Sequence, residues 1–387
     1  MDAIQHGGED MRADHPKIGF LFLGGVHQAL HIAPIAAALA REGRAQVSMF
    51  APLEDIAPLT RLLSDLECAH PVQALMIPAW LSKPHAVIAK QPPKLACLLA
   101  NRSRFEDLDV LVAAERTSTA LKAWPGPSPK LVHVPHGAGD RARGFERRIR
   151  RFDHVIVSGP KDQARMIAQG LVSPATCSVS GSVKVSTVLS HPRMGVRGRL
   201  FTNDRPVVLY NPHFDAKLSS WASFGARMAA AFREQDHFNL VIAPHVRLSR
   251  GWSSSQRARF EALALEDRIL VDAGSDRSHD MTYTMAADIY VGDVSSQVYE
   301  FLARPRPCVF LDRGVGARAE DPSFAFWSLG ELVADPSDVL AALTRAHAVH
   351  ARYRDRQVLA VEAALGRLED ATRTAADTLL RISRSPD

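Results

Sequence analysis

The sequence has few cysteines, and they are not grouped. Its 387 residues include only four, Cys68, Cys97, Cys177 and Cys308, which stand far apart in the chain. This spacing fits neither a disulfide framework nor a zinc site. It is typical of a protein that works in a reducing cytosol.

Long apolar runs are also missing. No stretch approaches the roughly 20 consecutive apolar residues that a membrane-spanning helix needs. Residues 1–16 are polar and acidic, without the basic start and apolar centre of a signal peptide, so we predict a disordered leader there. These absences predict a cytoplasmic protein.

Several cofactor and catalytic motifs are absent. The first apolar run ends in Gly24-Gly25-Val26-His27, which lacks the third glycine of the GxGxxG pattern that binds nicotinamide or flavin cofactors. The sequence contains no GxxxxGK[ST] loop and no GxSxG elbow. His27 and His31 have the spacing of a zinc-binding pair, but the segment between them lacks the glutamate of HExxH and no third ligand is evident. We therefore expect no metal and no other cofactor.

Short apolar runs alternate with helix-length segments along the chain. In the first half they cover residues 17–23, 46–52, 109–114, 130–134, 154–159 and 177–182, and in the second half 207–212, 238–245, 268–274, 287–293 and 307–312. This alternation predicts βαβ units and parallel sheets covered on both faces. The chain is also too long for one typical core, so we predict two Rossmann-like α/β domains that face each other across a cleft.

The division between the domains is predicted from composition. Residues 191–206 are rich in glycine, proline and arginine, which is typical of a linker. We place the first domain at 17–195, the second at 196–345 and a helical segment at 346–387. The Ala- and Arg-rich stretch from Val339 to about Arg384 predicts one or two long helices that cross the end of the molecule.

Polar residues follow many of the predicted strands. In an open parallel sheet, ligands bind beyond the carboxyl ends of the strands. The candidates at those ends are Gly25, His27, His136 and Asp140 in the first half, and His213, His245, Asp293, Ser295 and Ser296 in the second. A single histidine there is more often structural, but several at one edge favour a functional site.

Two serines stand between the strand 287–293 and the helical segment after it. Ser295 is well placed to be an ordinary helix N-cap. Serines at the start of a helix are equally typical of a phosphate-binding site, because the first backbone N–H groups of a helix are unpaired. The segment alone does not decide between these readings.

The positive charge is concentrated in one segment. Net charge is +5, and residues 141–151, RARGFERRIRR, hold six arginines in eleven positions. Such a run attracts anionic partners, although it is as often a solvated surface. No nucleic-acid-binding signature accompanies it. We expect an anionic lipid or glycan acceptor here, or peripheral contact with the inner face of a membrane, and no nucleic acid.

Together these segments resemble the GT-B superfamily. His136-Gly137, His245, and Asp293 with Ser295-Ser296 are similar to motifs of the CDP-glycerol glycerophosphotransferases, which make teichoic-acid-like polymers. The resemblance covers residues 130–312. It implies a nucleotide-activated donor, CDP-glycerol above all, and a transferase that acts without a metal in cell-envelope biogenesis.

The resemblance also implies roles for individual residues. Asp293, Ser295 and Ser296 are expected to bind the donor phosphates, and Glu300, one turn into the helix, the ribose. His245 is expected to stabilise the leaving nucleotide and His136 to act as general base on the acceptor hydroxyl. The remaining candidates are assigned to the acceptor side of the cleft: Gly25, His27, Asp140 and His213.

Two alternatives stay open. The non-hydrolysing UDP-sugar 2-epimerases share the fold, and Glu300 falls where their ribose-binding glutamate lies. Their acidic, Arg-containing motif is not visible in the first half of this sequence. A non-catalytic nucleotide-sugar-binding protein on the same fold is the second alternative, and it would tolerate the loss of His136.

Overall fold

The computed structural model describes residues 15–77, 94–137, 145–191, 194, 199–249, 251–314 and 322–385. Within them the chain forms two β-sheets, one in each half, and every pairing between neighbouring strands is parallel. The predicted leader lies almost wholly outside these residues, and so do six of the sixteen residues of the predicted linker. The predicted domain boundaries stay predictions.

The first sheet has seven strands in the order β3-β2-β1-β4-β5-β6-β7. The strands are β1 (Lys17–Leu21), β2 (Gln46–Pro52), β3 (Val72–Leu75), β4 (Val110–Ala113), β5 (Lys130–His133), β6 (His154–Val157) and β7 (Cys177–Val179). Val110 and Val112 belong to one apolar cluster, whereas Leu111 and Ala113 belong to another. Because alternate side chains point to opposite faces, both faces of this sheet are covered, as predicted from the continuous apolar runs.

The second sheet has six strands in the order β10-β9-β8-β11-β12-β13. They are β8 (Val207–Asn211), β9 (Asn239–Ile242), β10 (Ile269–Val271), β11 (Ile289–Gly292), β12 (Cys308–Leu311) and β13 (Glu331–Val333). In both sheets the chain runs outward from a central strand in one direction and then in the other. The carboxyl ends of β1 and β4, and of β8 and β11, therefore flank the point of reversal where ligands bind in such folds.

Helices connect the strands. In the first half they are α1 (Val26–Ala29), α2 (Ala33–Glu42), α3 (Leu53–Asp65), α4 (Lys94–Ala100), α5 (Pro160–Ala168) and α6 (Val183–Ser190). In the second half they are α7 (Trp221–Arg233), α8 (Val246–Ser249), α9 (Ser254–Glu261), α10 (Thr282–Ala286), α11 (Gln297–Leu302), α12 (Val339–Val349), α13 (Ala351–Leu365) and α14 (Ala371–Arg384). Short 3-10 helices add Arg102–Arg104, Thr117–Ala123, Arg147–Arg151, Pro174–Thr176, Asp276–Ser278, Pro322–Leu329 and Pro336–Asp338.

The sequence analysis missed the edge strands β3 and β13. Both are short, at four and three residues, and only one residue of each is fully buried. Gln73 interrupts the apolar residues of β3 and β13 begins with Glu331, so neither segment has the continuous apolar run that identifies the other strands.

The C-terminal stretch forms three helices rather than one or two. Helix α12 packs on β12 and β13 of the second sheet, whereas α14 packs on α2 and α6 of the first domain. The chain crosses back at Leu365, whose carbonyl accepts a hydrogen bond from the Ser182 N–H at 2.7 Å. Gly366 follows with φ of +63°, and a Cβ built there would lie 2.4 Å from the Ser158 carbonyl oxygen. Glycine is needed at this crossing both for its conformation and for the close approach of two backbones.

No helix within the described ranges is long and apolar enough to cross a membrane.

Candidate active site

A cavity of about 610 Å³ lies between the two domains, beyond the carboxyl ends of both sheets. The first domain lines it with residues that include His27, Gln28, His31, His136 and Lys184. The second domain contributes His245, Arg247, His279, Ser296 and Glu300. The structure thus brings together five of the ten predicted site residues: His27, His136, His245, Ser296 and Glu300.

His136 follows β5 and faces the cavity. Its Nδ1 lies 2.9 Å from the carbonyl oxygen of Ala114, which can only accept a hydrogen bond, so Nδ1 carries the proton of the neutral ring. The lone pair is therefore on Nε2. Protein atoms around the ring lower the pKa of His136 by desolvation, and the positive charges of Arg116, Lys94 and Arg247 lower it further. A neutral imidazole with a free lone pair has the properties of a general base.

Gln28 was not predicted as a site residue, but it contacts His136. Its Nε2 lies 3.3 Å from Nε2 of His136. The side chain is buried, and its Oε1 has no hydrogen-bond partner among the described residues. Gly24 leaves the space for this amide, since a Cβ built on Gly24 would lie 1.6 Å from Gln28 Oε1.

Three more histidines line the cavity together with His136. The ring centroids of His27 and His31 lie 6.1 and 6.5 Å from that of His136, and His279 of the second domain lies 5.7 Å from His27. Burial holds the pKa of His31 well below its ordinary value and lowers the pKa of His279 to about 4. In both cases desolvation is the main cause, and Lys184 contributes. The described part of the chain contains no group of three or more His, Cys, Asp or Glu side chains arranged to hold a metal ion.

The two serines after β11 differ in their positions. Ser296 lines the cavity opposite the first domain, where a Cβ built on Gly137 would lie 3.9 Å from its Oγ. Ser295 is buried, and its Oγ accepts a weak hydrogen bond from the Gln297 N–H at 3.4 Å. Ser296 is the N-cap residue of α11, but its side chain accepts no hydrogen bond from the first turn of the helix. Of the two serines, Ser296 is thus the candidate for contact with a ligand. Helix α11 has only six residues, so its dipole is short.

Asp293 and His213 lie behind the cavity rather than on its wall. Asp293 is fully buried, and its carboxylate accepts hydrogen bonds from the backbone N–H groups of His213, Ser220 and Val294 and from the Ser220 hydroxyl. A carboxylate occupied in this way, which is also negatively charged, is poorly suited to contact phosphate directly. Both side chains are placed to support the loops that carry Ser296 and His245.

His245 has the opposite tautomer to His136. Its Nδ1 accepts a hydrogen bond from the backbone N–H of Arg247 at 3.2 Å, so the proton of the neutral ring is on Nε2. The Arg247 guanidinium lies 4.3 Å from the centre of the Phe214 ring, which holds this charge at the cavity wall. His245 therefore presents an N–H donor next to a positive charge.

Glu300 forms an ion pair across the cleft. Both of its carboxylate oxygens lie close to Nζ of Lys184, at 2.7 and 2.9 Å, and the two side chains are 16% and 6% exposed. Lys184 belongs to α6 of the first domain. Glu300, the predicted ribose-binding residue, is thus oriented by the other domain, and it still lines the cavity.

The other predicted residues have the following positions. Gly25 lies before α1 with φ of +87° and does not line the cavity. Asp140 lies outside the described residues, as do positions 141–144 of the arginine segment. The rest of that segment is the 3-10 helix Arg147–Arg151, and Arg148 reaches the cavity.

The residues that sequence reasoning missed had weak signals. Gln28 lies between His27 and His31, inside a segment that was tested only for zinc. Lys184 is part of a helix after β7, and nothing in the sequence indicates that it faces Glu300. Arg247 stands two residues after a predicted site histidine, which is the one signal that could have been followed.

Structural neighbours cover almost the whole chain. A UDP-GlcNAc 2-epimerase from Neisseria meningitidis bound to UDP-GlcNAc is 14% identical, with a TM-score of 0.62 over 94% of this chain and 100% of its own. The S. aureus protein MnaA, solved with UDP, is 14% identical, with a TM-score of 0.64 over 96% and 99%. A variant of the wall teichoic acid polymerase TagF soaked with CDPG is 12% identical, with a TM-score of 0.64 over 95% and 88%.

No family model matches this chain, and no curated protein matches it. At identities this low, the neighbours show the fold alone. The chain has the GT-B fold, with two parallel-sheet α/β domains, and both the predicted fold class and the predicted GT-B resemblance are confirmed.

Proposed function

We propose that this protein is a GT-B transferase that moves a glycerophosphate or sugar group from a nucleoside-diphosphate donor, with CDP-glycerol favoured, to a hydroxyl of an anionic acceptor. The observation that supports it is the meeting of His136 from one domain with His245, Ser296 and Glu300 from the other in a single cavity. A transfer between two substrates needs one set of residues that binds the donor and another that activates the acceptor.

His136 is proposed as the general base. Its Nε2 lone pair accepts the proton of the acceptor hydroxyl, and the hydrogen bond from Nδ1 to Ala114 holds the ring in the tautomer that this requires. The depressed pKa of His136 keeps the ring neutral at pH 7. A base of this kind contributes about 100- to 10,000-fold to the rate.

The second domain is proposed to bind the donor. Ser296, the N–H of His245 and the Arg247 guanidinium surround a space suited to two phosphates, and Glu300 is placed to accept hydrogen bonds from ribose hydroxyls. Lys184 adds a positive charge at the same wall. Because α11 is short, these side chains rather than the helix dipole supply most of the attraction.

In the proposed glycerophosphate transfer, one phosphorus–oxygen bond forms and another breaks. The acceptor oxygen attacks the β-phosphorus and its proton moves to His136. The bond from that phosphorus to the bridging oxygen breaks, and the nucleoside monophosphate leaves with its negative charge stabilised by His245 and Arg247. Positioning and charge stabilisation provide most of the acceleration in such a transfer.

The acceptor is proposed to carry an anionic group. A groove of about 470 Å³ beside the cavity is lined by Arg116, Arg147, Arg148 and Arg151. Arg116 and Arg148 line both spaces, so the groove continues into the cavity. A lipid-linked or glycan acceptor with a phosphate or carboxylate would place its charge there and its hydroxyl near His136.

The epimerase reading stays as the second candidate. It is favoured by the structural neighbours that are named as epimerases and by the position of Glu300 on the cavity wall. An epimerase would convert its UDP-sugar with no acceptor present, whereas a transferase would not.

The test is a thermal-shift titration of the purified protein with CDP, UDP, GDP, TDP and CDP-glycerol. Ligand at a hundred times its dissociation constant stabilises the folded state by about 2.7 kcal/mol, which is an easily visible shift. A selective response to CDP and CDP-glycerol would support the proposal, and a response to UDP alone would favour a UDP-sugar enzyme. Silence from all of them, in a folded protein, would contradict a donor site at Ser296.

A further inference from the structure

Gln28 and Gly24 form an unassigned part of the cavity wall next to His136. Neither residue has a role in the transfer step proposed above. Three observations about Gln28 belong together: it contacts the proposed base, its other amide atom has no partner, and a glycine makes room for it.

The tautomer of His136 determines which end of the Gln28 side-chain amide faces its ring. Since Nδ1 donates to the Ala114 carbonyl, Nε2 of the neutral ring can only accept. The group that Gln28 turns toward it must therefore be the NH2, as the structure has it at 3.3 Å. This distance is longer than the usual range for an N–H donor, so the contact is weak and an incoming hydroxyl can replace it.

The opposite end of the amide is in an unfavourable position. Gln28 is 8% exposed, and Oε1 has no hydrogen-bond partner among the described residues. Buried acceptors are seldom left unpaired, and such an exception usually has a functional reason. Rotating the amide by 180° would turn Oε1 toward His136.

When His136 is protonated, it needs a hydrogen-bond acceptor at Nε2 instead of a donor. Once Nε2 has taken a proton it becomes a donor, and the NH2 of Gln28 would then face an N–H group of the same polarity. The rotated amide would accept from Nε2–H through Oε1 and would support the charged ring. Around His136, Lys94, Arg116 and Arg247 bring only positive charge. The carboxylates on the cavity wall are engaged elsewhere: Glu115 by the backbone N–H groups of Thr117 and Ser118, Glu146 by Arg116, and Glu300 by Lys184.

We infer that Gln28 is a positioning residue whose amide adopts two orientations, one for each protonation state of His136, and that Gly24 is the residue that leaves it room to do so. In the resting state the Gln28 NH2 group donates to the lone pair of His136 Nε2 until the acceptor hydroxyl replaces it. After proton transfer Oε1 accepts from the imidazolium. This inference rests on the proposed role of His136 as base.

The experiment measures the imidazole of His136 by ¹⁵N NMR over a pH range in the full chain, without substrates, for wild type and for Gln28→Glu, Gln28→Met and Gly24→Ala. A carboxylate beside Nε2 should raise the pKa of His136 by about one unit or more. Methionine, which neither donates nor accepts strongly, should lower that pKa, because the charged ring loses Oε1. Gly24→Ala should resemble Gln28→Met, since its Cβ occupies the position of the amide.

Gly251→Ala is the matched control, because a Cβ built on Gly251 meets nothing within 4 Å. If Gln28→Glu does not fold, the pKa of His136 in Gln28→Met and Gly24→Ala still tests the inference. An unchanged pKa of His136 in the folded variants would overturn the inference and leave Gln28 a packing residue. Donor binding is measured separately by the nucleotide titration, so a failure of the proposed function is distinguishable from a failure of this inference.

Discussion

Two histidines in this cavity are held in opposite tautomers by the backbone around them. The Ala114 carbonyl places the proton of His136 on Nδ1, whereas the Arg247 N–H places the lone pair of His245 on Nδ1. The atoms that face the cavity are thus an acceptor on one domain and a donor on the other. Their roles are consequently not interchangeable, and each can be tested alone.

Replacing His136 by Ala should lower turnover by about 100- to 10,000-fold, because it removes the proposed base. Donor binding should be unchanged, since the donor contacts lie in the second domain. Steady-state kinetics and the nucleotide titration measure the two effects. His237→Ala is a suitable control, since its side chain is 83% exposed. Equal turnover in wild type and the His136 variant would contradict the role of His136 as base, whereas donor binding without turnover in wild type would point to the non-catalytic alternative.

At the scale of elements, the turn between α13 and α14 decides where the last helix packs. Gly366 and Gly43 both have positive φ, +63° and +62°, but ψ is −163° at Gly366 and +24° at Gly43. Only Gly366 is pressed against another backbone, since a Cβ built on Gly43 meets nothing within 4 Å. Gly43 therefore tests the left-handed conformation alone, whereas Gly366 combines a backbone conformation that is almost limited to glycine with crowding.

Gly43→Ala should destabilise the protein by about 1–2 kcal/mol, which is the cost of the left-handed conformation for a residue with a Cβ. Gly366→Ala should cost about 2 kcal/mol more, because its φ and ψ are accessible almost only to glycine and the crossing segment must also move away from Ser158. Urea denaturation of both variants gives the comparison. Equal losses of stability would mean that the crossing is looser than the structure has it.

The 3-10 helix Arg147–Arg151 is the element that gives the groove its charge. In the described part of the chain, no acidic side chain lies within ion-pair distance of Arg147, Arg148 or Arg151. Arg150 does not line the groove. It extends toward Gly170, where a built Cβ would lie 3.6 Å from its Nη2. Neighbouring arginines of one short helix thus differ in whether they line the groove.

The double variant Arg147→Gln with Arg151→Gln should raise the KM for an anionic acceptor by about tenfold, because two charge-assisted contacts are lost. Donor binding should stay the same. Arg150→Gln serves as the control and should leave KM unchanged. If both variants behave like wild type with an acceptor that supports turnover, the groove does not bind it.

At the scale of the whole molecule, the domains meet through both apolar and charged contacts. One core cluster contains residues of both halves, Ile18 and Val110 as well as Tyr290 and Phe301. The ion pair of Lys184 and Glu300 spans the same interface at the cavity wall. The position of the ribose-binding candidate therefore depends on the other domain.

Lys184→Met should destabilise the protein by about 3 kcal/mol, because it leaves a largely buried carboxylate without its partner. The double variant with Glu300→Met should lose less than the sum of the two single variants. Denaturant unfolding of all four proteins completes the cycle. Additive losses would show that the two side chains do not interact in solution.

Acid should destabilise the protein through its buried histidines. Desolvation lowers the pKa of His279 to about 4 and that of His133 to about 3, so the folded chain keeps these rings neutral while the unfolded chain protonates them below about pH 6.5. The contribution of these neutral rings to the stability of the folded state is complete above that pH, and it is lost as the pH falls toward 4 for His279 and toward 3 for His133. At pH 5 the loss should be about 2 kcal/mol for each histidine.

The measurement compares denaturation at pH 7.5 and pH 5 in wild type and in His279→Gln. The variant cannot take up this proton in the unfolded state, so its stability should fall by about 2 kcal/mol less than that of wild type. His237→Gln should show the wild-type difference. An unaltered pH dependence in the His279 variant would mean that this ring is well solvated in the folded protein.

Most of the strands, and several residues of the cavity wall, could be predicted from the sequence. Continuous apolar runs between helix-length segments identified eleven of the strands, because strands buried on both faces must be apolar throughout. Polar residues directly after those runs, such as His136 and Ser296, were candidates because parallel strands end at one edge. The edge strands β3 and β13 lacked this signal, since Gln73 interrupts the first and Glu331 begins the second.

The position of each candidate residue relative to the cavity depends on how the elements pack. Ser295 and Ser296 are neighbours of the same type, yet one is buried and the other faces the cavity. Lys184 and Gln28 act on Glu300 and His136 from 116 and 108 positions away in the chain. Sequence patterns arise from the local period of a helix or strand, whereas a contact between distant residues depends on how the elements pack. For that reason the fold was predictable, and the partners of the site residues were not.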